Sequence, residues 1–187
     1  MINEDMKLNA DELRKIDDEA AESSAGRVER RPIYLIVESV YDTYNIGGLF
    51  RLADALAVSG LYLCGECETP PNHRIKKASI GTYKVVPWKY FDSTREAIEE
   101  LRAQHSELSV VGIEQAPGSA DYRKIEYRAP MALIVGNETF GVTKETLALC
   151  DQIAEIPMWG INKSLNVIVS AAIVSYHAAA SGVGAPR

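Results

Sequence analysis

The stretch Ile156–His177, IPMWGINKSLNVIVSAAIVSYH, decides how this chain reads. It begins as the end of a strand, passes through a Gly-containing loop, and turns into a long apolar helix at Ser164-Leu165-Asn166. From Val167 to Ala180 the residues are small and almost wholly apolar, a composition expected of a helix shielded from solvent. Ser164 and Asn166 stand at its mouth, beside N–H groups that have no partner within the helix. Their spare hydrogen-bonding groups can fix a ligand or a neighbouring loop, so function is sought there first.

Upstream, strands alternate with helices. Ile33–Glu38 reads as a buried strand, Ser39–Asn45 as a loop, and the next helix runs from about Ile46 to Val58. Leu61–Cys64 and Lys84–Val86 read as short strands, and Ser93-Thr94-Arg95-Glu96 is a capping box opening a helix through about Gln104. Ser109–Ile113, Met131–Val135 and Ile153–Ile156 are further strands, with Thr143 capping a short helix to Cys150. The pattern predicts an α/β fold, a mostly parallel sheet flanked by helices, with functional loops at the carboxyl ends of the strands. Three loops qualify: Tyr41–Gly48, Gly136–Gly141 and Pro157–Lys163. The expected organisation is an acidic tail or loose helix over residues 1–31, one domain over 32–181, and a frayed end at 182–187.

The net charge of −6 is unevenly placed. Residues 1–22 carry eight acids and three bases, so the body is close to neutral. Within the body, residues 72–89 (NHRIKKASIGTYKVVPWK) hold Arg74, Lys76, Lys77, Lys84 and Lys89 and no acid. With Tyr83 and Trp88 interleaved, this stretch fits either a phosphate backbone or a solvated loop beside an edge strand. No apolar run approaches a membrane span, and three cysteines without a secretion signal point to reduced thiols in cytoplasm.

Several chemistries are disfavoured. Gly136-Asn137-Glu138-Thr139-Phe140-Gly141 has two glycines five apart, but a Glu inside it repels a triphosphate and Lys144 comes too late for a P-loop. Its backbone suits an uncharged heterocycle better. No Gly-x-Gly-x-x-Gly follows a strand, which disfavours a dinucleotide cofactor. Cys64-Gly65-Glu66-Cys67 lacks the second ligand pair that a structural zinc needs, and ends a strand rather than opening a helix as a redox pair would. In Asn45-Ile46-Gly47-Gly48-Leu49-Phe50-Arg51, glycines at a strand-to-helix turn allow backbone to approach a ligand. Arg51, one turn into the helix, offers a fork for a phosphate.

Taken in order, Asn45–Arg51 (NIGGLFR), Leu133–Val142 (LIVGNETFGV) and Ile156–Val167 (IPMWGINKSLNV) resemble the three motifs of the SpoU (TrmH-like) branch of the SPOUT RNA methyltransferases. IKKASIGTYKVVPW is similar to that family's segment after its second strand, and the likeness covers about residues 33–180. The resemblance implies a C-terminal trefoil knot, a homodimer with active sites near the subunit interface, and no metal. It implies transfer of a methyl group from S-adenosylmethionine to a ribose 2′-hydroxyl of tRNA or rRNA. By motif position Arg51 would be catalytic with Asn45 as its loop partner, and Glu138, Ser164 and Asn166 would shape the site. Leu133, Gly136, Asn137, Gly141, Ile156, Met158 and Leu165 would hold the cofactor. Arg74, Lys76, Lys77 and Lys84 would meet the RNA.

The chain departs from the family at Ile168, where many members have a Ser. It also lacks room before its first strand for the N-terminal RNA-binding domain that many members carry. The alternative is a non-catalytic RNA-binding module of the same fold, against which the intact Asn45, Arg51, Glu138, Ser164 and Asn166 argue.

Overall fold

The computed structural model describes residues 7–181. The end expected to fray at 182–187 and the first six residues of the acidic segment lie outside the described residues. Seven strands form one sheet: β1 (Arg31–Glu38), β2 (Val58–Cys64), β3 (Trp88–Phe91), β4 (Ser109–Ile113), β5 (Ala120–Asp121), β6 (Met131–Val135) and β7 (Gln152–Glu155). Their order is β3-β2-β1-β6-β4-β7-β5, and every pairing is parallel. Parallel strands need crossovers, so the sheet is covered on both faces and its central strands are apolar on both sides. Along β1, Ile33, Leu35 and Val37 pack with Leu49, Phe50, Ala171 and Val174, whereas Tyr34 and Ile36 pack with Ala97, Ile98 and Leu101. The first face carries helices α3 (Thr43–Ala55) and α7 (Val167–Ala180). The second carries α5 (Thr94–Gln104) and α6 (Lys144–Leu147). Ser93 and Thr143 cap α5 and α6 as their sequences predict, accepting from the N–H groups of Glu96 and Thr146. Buried Glu38, at the end of β1, accepts from Thr94 Oγ1 at 3.2 Å, Thr143 N at 2.9 Å and the Thr146 hydroxyl, so one carboxylate fastens both helix starts to the sheet.

Five local expectations are corrected. From residue 7 the N-terminal segment is helical but not loose: α1 (Ala10–Lys15) and α2 (Asp18–Gly26) dock on the body through Leu13 and Ala21 against Val85. Lys84 holds them there, donating to Ile16 O at 2.7 Å and pairing with Asp18 at 3.3 Å. The basic stretch is not an open loop; it contains α4 (His73–Ser79) and a 3-10 turn at Thr82–Lys84. Ile80 and Gly81 take left-handed φ values of 51° and 97°, and the strand expected at Lys84–Val86 begins only at Trp88, after Pro87. The glycines of the first motif lie inside α3, which starts at Thr43, not at a turn. A Cβ on Gly47 would sit 2.5 Å from the Ala78 Cβ, and one on Gly48 would sit 2.3 Å from the Ile168 Cδ1, so both serve helix packing. Finally, α7 is only half shielded: Val169 and Tyr176 are 45% and 52% exposed.

Candidate active site

β1 and β6 lie side by side, but the chain leaves them in opposite directions, into α3 on one face and α6 on the other. Such a switch point opens a crevice beyond the strand ends. A cavity of about 540 Å³ lies there, lined by residues from the ends of β4, β6 and β7 and from the segments 136–141 and 156–166.

The segment after β6 is a compact loop. Asn137 N–H donates to Gly141 O at 3.1 Å, and Gly141 N–H donates back to Asn137 O at 2.9 Å. The Asn137 side chain accepts from the N–H groups of Thr139 and Phe140 and donates to Ser39 O at 2.7 Å. The turn is so tight that a Cβ on Gly136 would lie 2.2 Å from the Gly141 carbonyl carbon, which excludes any side chain there. Asn137 is therefore a builder of the loop.

Three side chains join the loops. Asn166 Nδ2 donates to Asn45 Oδ1 at 3.0 Å, and Asn45 Nδ2 donates to Glu138 Oε1 at 2.9 Å. Glu138 also accepts from Tyr41 N–H and Asp42 N–H, each at 3.2 Å. Burial alone would raise the Glu138 pKa. Hydrogen bonds from Asn45 and from backbone N–H groups outweigh it and hold the carboxyl below its ordinary value. Asn166 also caps α7 by accepting from Ile168 N–H at 2.8 Å. One relay thus spans helix α3, the 136–141 loop and the start of α7, as the polar groups at the mouth of α7 led us to expect.

Of the residues expected around a cofactor, Gly136, Asn137, Gly141, Ile156, Met158 and Leu165 line the cavity, as do Glu138, Ser164 and Asn166. Leu133 does not; it is wholly buried inside β6. Asn45 reaches the wall through its partners. Arg51 lies more than two turns into α3, exposed and outside the wall. Arg74, Lys76 and Lys77 are exposed on α4, but Lys84 is spent on the N-terminal helices. Arg30 and Arg31 are likewise engaged with backbone carbonyls.

The loop after β4 escaped the sequence reading. Glu114 and Gln115 line the cavity, and each ties a wall to it: Glu114 Oε2 accepts from Val142 N–H at 2.8 Å, and Gln115 Nε2 donates to Lys163 O at 2.9 Å. The rule that pointed to the other strand ends pointed here too, but no Gly or Asn drew notice. Cys64 and Cys67 are buried, and burial pushes their thiols up to about 12 and about 11, which suits packing rather than redox work. No described helix is long and apolar enough to cross a membrane.

An all-parallel sheet with a loop-built cavity at its switch point is the arrangement in which α/β proteins bind small ligands. Residues 32–176 match the model of the SpoU rRNA Methylase family, and the chain belongs to that family. It is 30% identical over 153 residues to the tRNA (guanosine(18)-2′-O)-methyltransferase of Escherichia coli K12, covering 80% of this chain and 64% of that one. The chain thus spans a little under two thirds of that relative. It is 28% identical to the enzyme of the same name from Thermus thermophilus, covering 86% and 84% of the two chains. The AdoMet-bound rRNA methyltransferase of Sinorhizobium meliloti superposes with a TM-score of 0.74 at 29% identity, over 90% of this chain and 60% of that one.

Proposed function

We propose that this chain is an S-adenosylmethionine-dependent methyltransferase acting on a ribose 2′-hydroxyl of tRNA or rRNA. The observation that carries the reading is the Asn166–Asn45–Glu138 relay, which draws all three motifs to one cavity. The cavity suits the methyl donor: Ile156, Met158 and Leu165 offer apolar surface to an adenine while tight backbone loops read its edge. Lys163 is its one basic lining residue among those described, so it is no phosphate cradle. Held by the walls of this cavity, S-adenosylmethionine would supply an electrophilic sulfonium methyl for the ribose oxygen, its sulfur keeping the C–S electron pair and the hydroxyl proton leaving to solvent.

The protein contributes placement. In this reading Asn45, Glu138, Ser164 and Asn166 shape the site. Arg51, whose guanidinium is a donor fork and a poor base, binds the phosphate next to the target ribose and orients its hydroxyl. Arg74, Lys76 and Lys77 extend that contact along the RNA. The working form is a homodimer, supported by the exposed apolar side chains Trp159, Ile161, Leu165, Val169 and Tyr176 beside the cavity and along α7. Residues 32–181 form the methyltransferase unit, with a C-terminal trefoil knot supported by the return of the chain from β7 past the 136–141 loop to α7. No metal is required, and the protein works in the cytoplasm.

The test is Arg51→Ala in the full chain. Methyl transfer to the true RNA is expected to vanish while calorimetry still shows S-adenosylmethionine binding. Unchanged turnover overturns the role of Arg51, and a native chain with no saturable heat marks a decayed RNA-binding module instead.

A further inference from the structure

We propose that Glu114 selects the methyl donor by accepting hydrogen bonds from the ribose diol of its adenosyl group; this rests on the function proposed above. Glu114 follows β4 directly and stands in the cavity wall. Both carboxylate oxygens are pinned to backbone, Oε2 by Val142 N–H and Oε1 by Gln115 N–H, each at 2.8 Å. A carboxylate oxygen accepts at two positions, so one position on each oxygen is unused by these bonds. The group is held rigid before any ligand arrives, and ordering it on binding costs little side-chain entropy.

The opposite loop makes room for it. A Cβ on Gly141 would lie 2.1 Å from Glu114 Oε2, and Gly141 sits at a φ of 69° where other residues are strained. The remaining charged side chains of the wall are unsuited to the task. Glu138 is committed to Asn45 and two backbone N–H groups, and Lys163 is a donor only. A vicinal diol presents two adjacent O–H donors, and a fixed carboxylate is their natural acceptor. Gln115, by holding Lys163 O, keeps the 156–166 segment over the same place.

The experiment is titration calorimetry of the full chain with S-adenosylhomocysteine and with its 2′-deoxy and 3′-deoxy analogues. The native chain, Glu114→Gln and Glu114→Ala are compared. The native chain is expected to prefer the parent ligand to each analogue by about tenfold or more, the size of a hydrogen bond to a charged group. Glu114→Ala is expected to shrink that preference to about twofold or less, with Glu114→Gln between them. Because the readout is a ratio between ligands, any general loosening of the 136–141 loop cancels. A preference that survives intact in Glu114→Ala, or that the native chain lacks, overturns the assignment and leaves the proposed function standing. If the native chain binds no S-adenosylhomocysteine at all, that function and this inference fall together.

Discussion

Glu138 shows how a single carboxylate is made useful by its neighbours. It sits in a loop where solvation would suffice, yet it takes hydrogen bonds from Asn45, Tyr41 and Asp42. Its folded pKa lies below the ordinary value, so its ionised form is what the fold favours. A depressed carboxyl contributes stability above its unfolded value, near about 4.3, and that contribution fades as pH falls through the folded pKa. Native chain and Glu138→Gln compared by urea unfolding should therefore differ most near neutral pH and converge as pH falls through the depressed folded pKa. A difference that grows on acidification contradicts the relay. The cysteines make the opposite case: burial raises all three thiols, Cys150 also to about 12. At pH 8 a thiol reagent should leave them unmodified in the native chain and label all three only after unfolding.

Among the elements, α3 carries its meaning in two adjacent glycines. Replacing a helical Gly by Ala gains about 0.5–1 kcal/mol where there is space. At Gly48 the clashing atom is the tip of the Ile168 side chain, which can turn away. At Gly47 the new methyl meets Ala78 Cβ, Ser79 N at 2.9 Å and Ile75 O at 3.0 Å, and backbone cannot turn away. Gly48→Ala should be near neutral, whereas Gly47→Ala should cost about 1–3 kcal/mol and lower Tm by a few degrees per kcal/mol. Helix α4, seated on Gly47, then presents Arg74, Lys76 and Lys77 outward. If it follows an RNA backbone, each Lys→Ala there should weaken binding and flatten the log affinity–log salt slope by about 0.7–1, while Lys84→Ala should leave the slope alone. These elements also show where sequence reading runs short. Caps and the apolar run of α7 were legible because their causes are local: Ser93, Thr143 and Asn166 each bond N–H groups two or three residues on. Val85 and Val86 look like strand residues, yet they face separate clusters from a 3-10 turn, because chain reversal at Ile80-Gly81 and Pro87 delay the strand. The docking of α1 and α2 hangs on Leu13, Ala21 and one lysine, too few apolar residues to stand out in an acidic segment. In the site, Gly and Asn drew notice to the start of α3 and to the 136–141 and 157–163 segments, while Glu114 and Gln115 read as an ordinary polar turn whose long-range partners only the fold reveals.

For the whole molecule, the governing fact is that α7 has two apolar faces and the single chain covers one. Ala171, Val174 and Ala178 are fully buried against the sheet, while Val169 and Tyr176, seven residues apart and so on one line of the helix, face outward. Trp159 and Ile161, 87% and 103% exposed, flank the cavity-lining residues Met158 and Asn162. Large exposed apolar side chains of this kind call for a partner, and a second copy related by a two-fold axis offers the same surface in return. In such an isologous contact every substitution appears twice. A carboxylate placed on the line of α7 would bury two unpaired charges per dimer, each costing several kcal/mol, but in the separate chain it would merely be solvated. Val169→Asp and Tyr176→Asp should therefore convert a sedimenting dimer to a monomer that keeps the native circular dichroism spectrum. If both variants remain dimeric, the subunits meet elsewhere and the outward face of α7 needs another explanation. If the native chain is monomeric at every concentration, the active site must be complete within one chain, and Arg51 must then reach it from α3 alone.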